Sequence, residues 1–273
     1  MNTAINVRKI FAGVLAFIVG VGLSACGSAD ASSHEDDVLE RIQKTGEINI
    51  GVSGDMPPYQ TVDKNGELEG FEISIAESIA KSLNAKVVWH KAPWDSLIAG
   101  LEADRYDIVL HNLVVTPERE AKYDHSVTYA NDPGVILVAD SVPGETIDDI
   151  KGKTIATGIT SDYATALKDK GINVVDIKTD AAELIKAGRA DGFAAAKTVI
   201  DNYLATNPPI KLKVLEGKLN DTNSVVFFKK NQPELKKKIN AEIERGLKSG
   251  DYKQFFEKYA KFDLTPASTS EEQ

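Results

Sequence analysis

The stretch that most constrains this chain is the apolar run 106–115 (Tyr-Asp-Ile-Val-Leu-His-Asn-Leu-Val-Val), followed at once by Thr116-Pro117-Glu118-Arg119. Its β-branched content predicts a buried strand. Thr116 as N-cap and Pro117 at the first helical position predict a helix start directly after it. Arg119 then falls in a first helical turn just past the carboxyl end of a strand, which is where open α/β sheets bind ligands. A cation there opposes the helix dipole, so its presence asks for a reason. A guanidinium fork beside free backbone N–H groups suits a carboxylate. Pairing with Glu118, Glu120 or solvent accounts for it equally well on spacing alone.

The rest of the body alternates strand and helix signals. Strands are predicted at 47–52, 86–90 and 135–138, with a turn at Asp63-Lys-Asn-Gly66 inside a hairpin. Apolar residues at 71, 75, 76, 79, 80 and 83 mark a helix face, and a short helix is expected over 94–101. The second half repeats the rhythm, with strands at 154–157, 173–178, 192–196, 211–215 and 224–228. Helices are expected there at 161–168, 181–187, 198–204, 232–248 and 251–260. Such alternation argues for an α/β chain with parallel sheets covered on both faces.

The two ends read differently. Arg8-Lys9, an apolar stretch over 10–23 and a small-residue end make residues 1–25 a secretory signal, too short for a comfortable membrane span. Leu23-Ser24-Ala25-Cys26 resembles the lipobox of bacterial lipoproteins, which implies cleavage before Cys26 and a lipid on its sulfur; a soluble exported protein cut nearby is the alternative. Cys26 is the one cysteine of the chain, so no disulfide framework is available. Residues 26–37 are small, polar and acidic and read as a flexible tether, and 265–273 as a disordered tail. Removing residues 1–25, with Arg8 and Lys9, takes the formal charge from −9 to −11. That balance argues against nucleic acid and against polybasic membrane binding, leaving lipid alone as the anchor.

Blocks along the body carry a resemblance. Gly51-Val-Ser-Gly-Asp-Met-Pro-Pro-Tyr59, Gly66-Glu-Leu-Glu-Gly-Phe-Glu72, Trp94-Asp-Ser-Leu-Ile98 and Thr116-Pro-Glu-Arg119 are similar, in that order, to motifs of the family-3 solute-binding proteins of amino-acid ABC importers. The likeness continues through Ile147-Asp-Asp-Ile-Lys-Gly-Lys153, Gly158-Ile-Thr-Ser-Asp-Tyr163 and Gly188-Arg-Ala-Asp-Gly192, and covers 38–262. Lys122-Tyr-Asp124 and the 160–163 segment look closest to the cystine-binding branch. The resemblance implies a two-lobed periplasmic-binding-protein-like fold of type II, two mixed sheets flanked by helices and joined by two hinge strands. Lobe I would be 38–132 plus 226–264, and lobe II 137–222, with crossings near Pro133-Gly134 and Asn223-Ser224. It implies an extracytoplasmic, lipid-anchored monomer that closes on an amino acid and meets an ABC permease and its ATPase.

The resemblance also implies site residues. Arg119 matches the arginine that forks onto the ligand α-carboxylate. Thr160 and Ser161 fall where the second lobe offers backbone N–H groups and a hydroxyl to the same group. Trp94 matches an aromatic wall, Met56 stands where a second aromatic is usual, and Asn112 matches a backbone carbonyl that meets the ligand ammonium. Three positions depart from the pattern: Val114 replaces a hydroxyl, Ala196 (followed by Lys197) replaces an aspartate that pairs with the ammonium, and Ser53 replaces an acid that reads the side chain. A buried ammonium without a partner is costly. Asp55, Asp162 or another acid must therefore substitute, or the ligand is a carboxylate without an ordinary α-ammonium.

No cofactor is expected, and His90, His111 and His125 lack metal-ligand spacing. Two other classes fit the same fold: a sensor needing a separate membrane partner, and an enzyme resembling cyclohexadienyl dehydratases. The enzyme needs a positioned acid in the cleft, which Ala196 does not supply.

Overall fold

The computed structural model describes residues 37–178 and 180–267. The expected signal segment, Cys26 and nearly all of the tether lie outside these residues. Asp37, the last residue assigned to the tether, caps the helix Val38–Thr45, its carboxylate accepting from the amides of Leu39 at 3.0 Å and Glu40 at 3.2 Å.

Two five-stranded sheets organise the fold. The first runs Lys86–Lys91, Glu47–Val52, Ile108–Val109, Phe227–Lys229, Tyr123–His125. Its first three strands are parallel, and Phe227–Lys229 runs antiparallel to its neighbours on both sides. The second runs Asn173–Asp176, Thr154–Thr157, Gly192–Ala196, Gly134–Ala139, Leu212–Val214, again three parallel strands followed by antiparallel ones. The sheets are therefore mixed and not parallel throughout, because each takes in one strand that follows a crossing, Phe227–Lys229 in the first and Gly134–Ala139 in the second. Where the chain passes between them, Ala130–Asn131 pairs antiparallel with Asn223–Ser224. The amides of Asp132 and Gly134 continue this ribbon by donating to the carbonyls of Thr222 and Asn220, each at 3.0 Å.

Helices Phe71–Ser82, Pro233–Ser249 and Asp251–Tyr259 cover one face of the first sheet. Phe71 anchors that layer, its ring 4.4 Å from Tyr59 and 5.3 Å from Phe256. Short helices Trp94–Leu97 and Ala99–Glu102 bring Leu97 and Leu101 against Val109 and Phe227 on the other face. Tyr106 fills the gap there and dictates its neighbours. A Cβ on Gly51 would come 2.7 Å from its ring, and one on Gly100 would come 1.9 Å from its hydroxyl. In the second sheet, Leu137, Ala156 and Phe193 pack on Ala181, Leu184 and Ile200 of the helices Ala181–Lys186 and Lys197–Ala205.

The strand expected over 106–115 is shorter, Ile108–Val109 only. Asn112 adopts a left-handed φ of 47°, which asparagine tolerates better than most residues. The backbone therefore leaves the sheet before Thr116. That exit sets Asn112, Val114 and Arg119 beyond the strand's carboxyl end.

Candidate functional site

Thr116 caps the helix Pro117–Lys122 as the sequence predicts, its hydroxyl oxygen accepting from the Arg119 amide at 3.2 Å. The Arg119 guanidinium folds back, and its Nη1 donates to the Val114 carbonyl at 2.9 Å. The Val114 side chain is buried, so this residue serves through its backbone oxygen, a role not legible from its side chain. Burial disfavours the charged guanidinium, and Asp162 and Glu118 act against that penalty. The guanidinium carbon lies 5.8 Å from the centre of the Trp94 ring, within cation–π range.

The opposite wall belongs to the second sheet. Beyond strand Thr154–Thr157 the chain turns through Gly158–Thr160 into the helix Asp162–Asp169. Ser161 is its N-cap, accepting from the Ala164 amide at 3.2 Å and donating to the Gly158 carbonyl at 2.6 Å. Thr160 is exposed, and its hydroxyl oxygen accepts from Trp94 Nε1 at 3.2 Å, a contact that joins the two walls. Asp162, the first helical residue, accepts from Asn220 Nδ2. Burial raises its carboxyl above the ordinary range; Asn220, its own backbone and Arg119 work the other way. Trp94, Arg119, Thr160, Ser161 and Asp162 thus line one cleft of about 810 Å³.

Asn112 sits deeper and joins three segments. Its amide donates to Glu72 Oε1 at 2.6 Å, its Nδ2 donates to the Tyr163 hydroxyl at 3.2 Å, and its Oδ1 accepts from the Ser224 hydroxyl at 2.7 Å. Tyr163 Oη also accepts from Thr222 at 3.2 Å. Glu72 is fully buried, with Gln60 and Tyr129 completing its donors. Asp132 forms a second cross-sheet hub, accepting from Tyr59 at 2.7 Å and from the Thr198 hydroxyl.

The remaining expected residues are not gathered into the Arg119 cleft. Met56 is half-buried and pairs through its backbone with Gln60. Ser53 is buried just past the strand Glu47–Val52. Ala196 is 1 % exposed and lies in register with Gly134. Lys197 turns away, pairing with Asp201 and lying 5.9 Å from the Phe262 ring. Its position at the start of a helix with a carboxylate one turn on explains this, since the i,i+4 partner satisfies the ammonium locally. Asp162, Tyr163 and Asn220 lie around the candidate site. Asp162 is one of the substitute acids expected from the sequence and Tyr163 lies in the 158–163 block, whereas Asn220 carries no sequence signal. Among the described residues no group of three His, Cys, Asp or Glu side chains could hold a metal ion, and no helix is long and apolar enough to cross a membrane.

Comparison with known proteins places this geometry. Residues 48–262 match the model of the bacterial extracellular solute-binding proteins, family 3. The chain is 30% identical over 236 residues to the "Probable amino-acid ABC transporter-binding protein" of Haemophilus influenzae, covering 85% of this chain and 92% of that one. It is 28% identical over 266 residues to the L-cystine-binding protein TcyJ of Escherichia coli K12, covering 94% and 97%. A crystal structure of a mutant ArgBP from T. maritima superposes with a TM-score of 0.73 at 28% identity, over 82% of this chain and 99% of that one. With most of its length matched to the family and a two-sheet architecture shared with a solved amino-acid-binding relative, the chain belongs to family 3 of the bacterial extracellular solute-binding proteins.

Proposed function

We propose that this chain is the extracytoplasmic binding component of an ABC importer for a polar α-amino acid, cystine among the candidates. The observation that carries the reading is that Arg119 and Asp162 line one cleft with opposite charges. Arg119 spends one bond on Val114 and keeps the rest of its donor fork for a carboxylate. Asp162 has Asn220 as its side-chain partner and supplies the negative charge that Ala196 cannot. A zwitterionic head spans such a pair, with its carboxylate on the guanidinium and its ammonium on the aspartate. Thr160 and Ser161 add a hydroxyl and helix N-terminal amides on the carboxylate side. Trp94 forms the wall between them.

Residues 38–132 with 226–264 act as one lobe and 137–222 as the other, the chain crossing near Pro133-Gly134 and Asn223-Ser224. Ligand contacts reach both lobes only when the cleft is shut, so binding favours the closed form that a permease and its ATPase would engage. Cys26 holds the protein to the membrane by lipid alone, and Cys26→Ser is expected to release it from the membrane fraction. Retained membrane association would remove the anchor from this reading.

A thermal-shift panel of the common L-amino acids, cystine, small peptides and mono- and dicarboxylates tests the assignment, because a ligand that binds only the folded state raises the melting temperature by mass action. Shifts confined to α-amino acids are expected. Shifts confined to plain carboxylates would favour the alternative in which Arg119 is used and the amino head is not.

A further inference from the structure

Next to the Arg119 cleft, behind Trp94, lies a group of polar atoms that the head-group reading does not use. The neighbouring parallel strands Glu47–Val52 and Ile108–Val109 match in register at Gly51 and Val109. Ser53 and His111 each follow by two residues, so they come side by side at the carboxyl end of the sheet. Gln60 ties the two loops together. Its Oε1 accepts from the Ser53 amide at 2.9 Å, and its Nε2 donates to the Leu110 carbonyl at 2.6 Å. The His111 ring lies 4.8 Å from that of Trp94. Ser53 and His111 are 9% and 8% exposed, yet Ser53 Oγ and His111 Nε2 have no hydrogen-bond partner. Buried polar atoms are normally matched, so these two are open to a partner that the fold does not supply. Asp55 Oδ1 stands 4.0 Å from His111 Nε2, too far to bond it and close enough for one intervening group to reach both.

Resting on the α-amino-acid reading above, we propose that His111 selects the far end of the ligand, and that this end is a nitrogen carrying at least two hydrogens: an amide, a guanidinium or an ammonium. The carboxylate of Asp55 accepts and cannot donate. Burial drives the His111 ring down to about 4, against weaker pulls from its own backbone and Asp55, so the imidazole is neutral at neutral pH. A neutral imidazole carries one accepting nitrogen, and on this assignment Nε2, the nitrogen toward Asp55, is that acceptor. A group placed between Nε2 and Asp55 therefore meets two acceptors, with the Ser53 hydroxyl beside them able to do either. An alkyl end leaves all three unmatched, and a carboxylate end is repelled.

The test is calorimetric titration of the purified full chain with L-glutamine, L-arginine, L-lysine, L-glutamate and L-norleucine, repeated on His111→Phe and Asp55→Ala. His111→Phe keeps a ring against Trp94, and Asp55 is 74% exposed, so its truncation leaves the core untouched. At least one of the first three probes is expected to bind about tenfold or more tightly than both glutamate and norleucine, because a site built for a hydrogen-bonding group rejects analogues without it. Both variants should weaken that probe and leave norleucine unchanged. Glutamate or norleucine binding as tightly as the nitrogen-ended probes, or a preference that survives both variants, would overturn the assignment of His111. If all five probes bind alike and lose binding in Arg119→Ala, the head-group reading stands and this inference falls alone. If none of the five binds, this inference falls, and the head-group reading is decided by the wider panel that includes cystine.

Discussion

Glu72 and Asp162 are both acids withdrawn from water, and burial raises the carboxyl of each. What meets them differs. Glu72 is enclosed by the first sheet and its helices, where Gln60, the Asn112 amide and the Tyr129 hydroxyl all donate to it. Asp162 stands at a helix start on the cleft wall, with Asn220 as its side-chain donor, the helix-start backbone beside it and Arg119 as an opposing charge. A carboxylate with its lone pairs satisfied inside the protein fixes shape, and here it fixes the turn at Asn112. A carboxylate that lines a cleft opposite an underused guanidinium is placed to meet a ligand. Burial alone therefore does not tell a structural acid from a binding one; what the acid faces does.

Three changes test that contrast, the largest effect first. Arg119→Ala removes the charge opposite Asp162. Affinity for any carboxylate ligand should fall by about a hundredfold or more, in line with truncating one partner of a buried charge pair. Circular dichroism should stay unchanged, and full affinity in a titration would break the comparison at its root. Glu72→Ala strands the Asn112 amide and the Tyr129 hydroxyl in the core. Its cost should be about 3 kcal/mol of unfolding free energy, read by denaturant titration. A cost near zero would mean that Glu72 is not the structural member of the pair.

Asp162→Asn is the third and is expected to separate affinity from stability. Binding of an α-amino acid should weaken about tenfold. The melting temperature at neutral pH should hold or rise, because a folded-state carboxyl raised above its ordinary value marks an ionised form that the fold disfavours. The same shift gives a pH signature. A ligand ammonium favours the ionised carboxylate, so affinity should be flat at neutral pH. It should then fall as pH drops through the raised value of Asp162, above the ordinary 3.8. In the asparagine variant that acid limb should disappear.

Local chemistry was the legible part of this molecule. Thr116, Pro117 and Arg119 are consecutive in effect, and their cap and helix start follow from residue type alone. The same holds for Ser161 and the helix Asp162–Asp169, and for most strands with strong β-branched content. The strand over 106–115 was overextended because apolar content persists past Val109 while the backbone turns out at Asn112, and composition does not record φ. Lys197 follows the expected ligand position Ala196 in sequence, yet its helix offers Asp201 one turn on. The partnership of Asp162 with Asn220 and Arg119 joins three segments far apart in sequence, and pairing His111 with Ser53 needs the strand register. Neither can be derived from spacing within one segment.

The most direct test of the account is a matched titration of the wild-type chain and Asp162→Asn with an L-amino acid from the panel and with the same acid lacking its α-ammonium, such as L-arginine and 5-guanidinopentanoic acid. The account predicts that the wild type prefers the amino acid, that the substitution weakens the amino acid and not its des-amino analogue, and that Arg119→Ala weakens both. Equal loss for the two ligands in Asp162→Asn, or no loss for either, would contradict the assignment of Asp162 as the partner of the ligand ammonium.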